Sequence, residues 1–75
     1  MEQEIITKAV EQISALESNT EFVIGDYLKG YNLKKTDLFR LAILIINRLK
    51  GKIRTSKKYL NPIIGLPYLA TFRTV

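Results

Sequence analysis

At Gly51 the hydrophobic period of the chain changes from helical to alternating, and that change limits the fold more than any other feature. Before it, Leu38, Leu41, Ala42, Ile45, Ile46 and Leu49 recur at helical spacing. After it, Ile53, Thr55, Lys57 and Tyr59 alternate with Arg54, Ser56, Lys58 and Leu60, as in a half-exposed strand. The pattern predicts the longest helix from Thr36 or Asp37 to Lys50, with Thr36 as N-cap and Gly51 as terminator. Asp37 in its first turn and Arg48 and Lys50 in its last suit the helix dipole. Asn61-Pro62 and Gly65 to Pro67 then interrupt the chain, and Tyr68 to Val75 is again β-prone, so a C-terminal hairpin is expected.

Upstream, Ile6, Ala9, Val10, Ile13 and Leu16 mark a first amphipathic helix from Gln3 to Leu16, closed near Ser18 by a polar run. Glu21 to Ile24 reads as a brief strand. Asp26 then caps a short helix through Gly30, followed by a turn to Lys35. The expected class is α+β: three helices, a short strand and a hairpin in one domain spanning residues 1–75. This order matches a winged helix-turn-helix, whose last helix enters the major groove with the hairpin beside it. With 75 residues and 47% hydrophobic side chains, one core is feasible without staples.

Composition narrows the function classes. The chain has no cysteine and no histidine, which removes disulfides, thiolate metal sites and the commonest general base. Gly25, Gly30, Gly51 and Gly65 do not form a phosphate-binding spacing. No enzyme, metal, cofactor or small-molecule substrate is therefore expected. The start Met1-Glu2-Gln3-Glu4 is acidic where a secretory signal is basic, and the longest apolar run, Leu41 to Ile46, is too short for a membrane span. A cytoplasmic protein without membrane contact is the expectation.

Charge is divided along the chain. Up to Tyr27, six carboxylates accompany Lys8 alone; from Leu28 onward, eleven cations accompany Asp37 alone. Such a split points to a polyanion facing one side of the fold. For double-stranded DNA, Lys34, Lys35, Lys52, Lys57 and Lys58 are assigned to phosphates, with Arg48 and Arg54 in the same basic surface. Arg40 and Asn47, seven residues apart on one helix face, are assigned to base edges, and Thr36 joins the footprint. The four tyrosines, Tyr27, Tyr31, Tyr59 and Tyr68, are read as core or core-edge residues.

The loop Pro62-Ile63-Ile64-Gly65-Leu66-Pro67 is apolar where a phosphate-facing wing is polar. Together with Ile43 and Leu44 on the long helix, Ile63, Ile64 and Leu66 support a competing reading. In it the chain is a protein-interaction module that forms a homodimer or modulates a host protein.

The stretch from Glu21 to Ile53 carries Phe22, Ile24, Asp26, Tyr27, Leu28 and Gly30 before a turn, then Arg40, Leu41 and a closing Gly51. It resembles a family of small, single-domain, largely uncharacterised proteins of bacteria, phages and mobile elements. The resemblance implies a winged-helix-like fold and a mobile-element setting, with no established activity to inherit. A phage or mobile-element regulator that binds DNA through the third helix and the basic hairpin is the function expected.

Overall fold

The computed structural model describes residues 2–55 and 67–75. Two α-helices, α1 (Glu2–Ser14) and α2 (Lys35–Arg48), pack on a three-stranded antiparallel sheet of β1 (Glu21–Val23), β2 (Ile53–Thr55) and β3 (Thr71–Thr74). The strand order is β1-β3-β2, so the last strand lies in the middle. The β2–β3 pair is the expected hairpin over these residues; its continuation through Ser56 to Leu60 lies outside the described residues.

The α+β class holds, but the expected third helix does not form. Residues 24–31 instead make two 3-10 turns, Ile24–Tyr27 and Lys29–Tyr31, closed by bonds from Leu28 N–H to Gly25 C=O and from Tyr31 N–H to Leu28 C=O. The segment is pinned at both ends. Gly25 N–H donates to the Tyr68 carbonyl at 2.9 Å, and Asn32 takes a left-handed conformation at φ 56°. The few residues between cannot repay the cost of nucleating an α-helix. Asp26 caps nothing and pairs with Lys29 at 3.2 Å.

The long helix also starts earlier than its polar residues suggest. Lys34 is its N-cap, without a side-chain bond, and the Lys34 carbonyl accepts the Leu38 N–H at 2.9 Å. Thr36 is thereby an exposed residue of the first turn rather than the cap. At the other end Leu49 is the C-cap and Gly51 follows at φ +88°, a conformation open to glycine at little cost. The first helix ends at Ser14, two residues before the expected Leu16.

The core forms where the two helical stripes meet the inner face of the sheet. Ile13, Ile24, Leu28, Leu41, Ile45 and Leu49 are fully buried. Phe22 and Phe72, paired across β1 and β3, stack with centroids 6.1 Å apart, and Tyr27 meets Phe22 edge-on. Tyr68 is core as expected, but Tyr31 is 39% exposed, because it sits on the last 3-10 turn where no element covers it. Thr74 is a buried polar residue with its bonds satisfied. Its hydroxyl accepts the Thr20 N–H at 2.8 Å and donates to the Glu17 carbonyl at 2.7 Å, tying the end of α1 to the central strand.

Candidate nucleic-acid interface

The position of α1 decides what the solvent face of α2 can do. The two helices run in the same direction: Glu2 meets Arg40 near their starts, while Ile13 and Leu49 line one cavity near their ends. Arg40, assigned from sequence to base edges, is taken up by this packing. Its two terminal nitrogens donate to both Glu2 oxygens at 2.6 and 2.5 Å, and one donates to Asp37 at 2.9 Å. A bidentate fork of this kind is the stronger class of arginine–carboxylate contact. The hydrogen bonds from Arg40 hold the Glu2 carboxyl below its ordinary value, and the two carboxylates push the Arg40 guanidinium further up. The Glu2–Arg40–Asp37 cluster carries a net negative charge, so the start of the long helix does not present a free arginine.

The same neutralisation occurs on the outer face of the sheet. Glu21, Arg73 and Arg54 form one cross-strand row, with Glu21 opposite Arg73 and Arg73 opposite Arg54. Arg73 donates to Glu21 at 2.6 Å and to the Asn19 side chain at 3.1 Å. Two arginines directly opposite would repel each other. The carboxylate on Arg73 offsets that repulsion, and Arg54 is left without an ion pair among the described residues.

Four of the unpaired cations gather at the far end of α2. Arg48 ends that helix, Lys50 and Lys52 flank Gly51, and Arg54 stands in β2. All four are exposed and none has an ion pair among the described residues. Lys34 and Lys35 are also exposed and unpaired, but they lie at the opposite end of α2, about 20 Å away at 1.5 Å per residue. The helix therefore separates the residues assigned to one footprint into two poles. Asn47 and Thr36 are exposed on its outer side. Lys57 and Lys58 lie outside the described residues, as do Ile63, Ile64 and Leu66.

Apolar side chains share the outer side of α2. Ile43 and Leu44 are each 39% exposed, and Phe39, not singled out from sequence, is 40% exposed. Its i, i+4 spacing to Ile43 is the signal that would have found it. Among the described residues no three acidic, histidine or cysteine side chains gather as a metal site, and no helix is long and apolar enough to cross a membrane. No family model, curated protein or solved structure matches the chain.

Proposed function

We propose that this chain is a non-enzymatic, winged-helix-type domain that binds duplex DNA through its phosphate backbone, at the C-terminal end of α2 and on β2. The observation that carries this reading is the pairing of its cations. Lys29, Arg40 and Arg73 each have a carboxylate partner; among the described cations without one, Lys8, Lys34 and Lys35 stand apart, whereas Arg48, Lys50, Lys52 and Arg54 fall together. Four like charges within seven residues of chain repel one another, and a polyanion relieves that repulsion while releasing counterions.

The winged-helix reading is supported by the order helix, strand, helical turns, helix and β-pair, with the second helix reduced to two 3-10 turns. Base reading has a smaller place in it than the sequence suggests. Arg40 is held by two carboxylates, so of the two α2 residues assigned to base edges Asn47 alone keeps its side chain free of an ion pair or hydrogen bond among the described residues. Contacts to phosphates position a protein without discriminating sequence, so binding is general rather than site-specific. A regulatory role in a phage or mobile element goes with this reading.

The test is a salt titration against a short labelled duplex of random sequence. Binding that weakens steeply with added salt supports the assignment. Affinity no greater than that of a neutral control protein at low salt overturns it.

A further inference from the structure

The outer side of α2 offers a second, largely apolar surface that shares only Lys50 with the phosphate-binding cluster. Phe39 and Ile43 are one helical turn apart and exposed, and Ile46, half-buried, continues their line toward the core. At about 100° per residue these three share one flank of the helix; Lys35 lies one turn before Phe39, and Lys50 follows the C-cap Leu49 just beyond the end of the helix. The opposite flank belongs to α1, because Glu2 reaches Arg40 there. The result is an apolar stripe with an exposed lysine at each end. Neither lysine has an ion pair among the described residues. From Lys35 to the end of the helix at Arg48 the stripe is about 20 Å long at 1.5 Å per residue, with Lys50 just beyond it.

We propose that this stripe docks an amphipathic helix of a partner protein, whose apolar side chains cover Phe39 and Ile43 and whose carboxylates meet Lys35 and Lys50. Helix-on-helix docking through residues at i, i+4 and i+7 is a recurring recognition mode, and a span of this length matches about 15 residues of partner helix. Charge selects the occupant. A second copy laid antiparallel would set Lys34 and Lys35 against Lys50 and Arg48 of its partner. Laid parallel, each lysine would meet itself, so either arrangement places like charges at both ends. Nucleic acid supplies the negative charge but has no apolar side chains with which to cover Phe39 and Ile43. An acidic amphipathic helix satisfies both requirements.

The experiment titrates the full chain, followed by amide NMR shifts, with two synthetic helical peptides of about 15 residues. Both carry a leucine stripe; one has glutamates at its two ends, the other lysines at the same positions. The acidic peptide is expected to bind at least about tenfold more tightly than the basic one, with shifts centred on Lys35, Phe39, Ile43 and Lys50. The double variant Lys35→Glu, Lys50→Glu changes only exposed side chains and should reverse the preference. Equal binding of the two peptides, no binding, or shifts confined to Lys52 and Arg54 overturns the proposal. Dimerisation in sedimentation that Ile43→Asp abolishes assigns the stripe to a second copy and overturns it as well. DNA enters neither arm, so the result stands apart from the phosphate-binding reading.

Discussion

If free and neutralised cations differ as the ion pairs indicate, removing them should change the salt dependence of DNA binding unequally. Each phosphate neutralised on a duplex contributes about −0.9 to the slope of log affinity against log salt. Arg48, Lys50, Lys52 and Arg54 together therefore contribute about −3.6, a loss of roughly 150-fold in affinity between about 50 and 200 mM salt. In the double variant Lys52→Ala, Arg54→Ala the four-cation contribution falls to about −1.8, and the loss over the same range shrinks to roughly 12-fold. Arg40→Ala should leave the slope unchanged, because that guanidinium is already matched by Glu2 and Asp37 and displaces few counterions when DNA arrives. Fluorescence anisotropy of a labelled duplex, measured at several salt concentrations for the three proteins, gives the slopes directly. The reasoning is refuted if Arg40→Ala flattens the slope as much as the double variant does, or if the double variant keeps the parent slope.

Three further outcomes test the fold and the ionic cluster. A Cβ at Gly25 would stand 2.7 Å from the Tyr68 carbonyl oxygen, so Gly25→Ala should destabilise the protein by about 1–3 kcal/mol in urea unfolding. Thr74→Val strips the Thr20 N–H and the Glu17 carbonyl of a partner and should cost about 1–3 kcal/mol in the same assay; an unchanged midpoint would show these bonds to be dispensable. The Glu2 carboxyl, lowered by its bonds to Arg40, should titrate below the ordinary glutamate value of 4.5 in carbon-detected NMR and return to it in Arg40→Ala. Because the folded value is the lower one, the stabilisation from this pair is present above pH 4.5 and is lost as pH falls through the lowered value.

Local pattern was sufficient wherever a segment's own residues settle its conformation. The stripe from Leu38 to Leu49 specifies α2, because apolar side chains three and four residues apart leave one side to bury. Gly51 ends that segment because a positive φ is needed there, and the alternation after it specifies β2. The first helix and the α+β class follow in the same way.

Contacts between distant segments decided the rest. The short helix expected after Asp26 gave way to 3-10 turns because Gly25 is bonded to Tyr68, far along the chain. Arg40 has a plausible base-reading position by sequence, yet its partner Glu2 is 38 residues away, and only parallel packing of the helices brings them together. Thr20 and Thr74 likewise acquire their roles from a 54-residue separation. Periodicity reports which side of an element is buried, whereas the charge left free on the other side depends on which carboxylates the completed fold brings within reach.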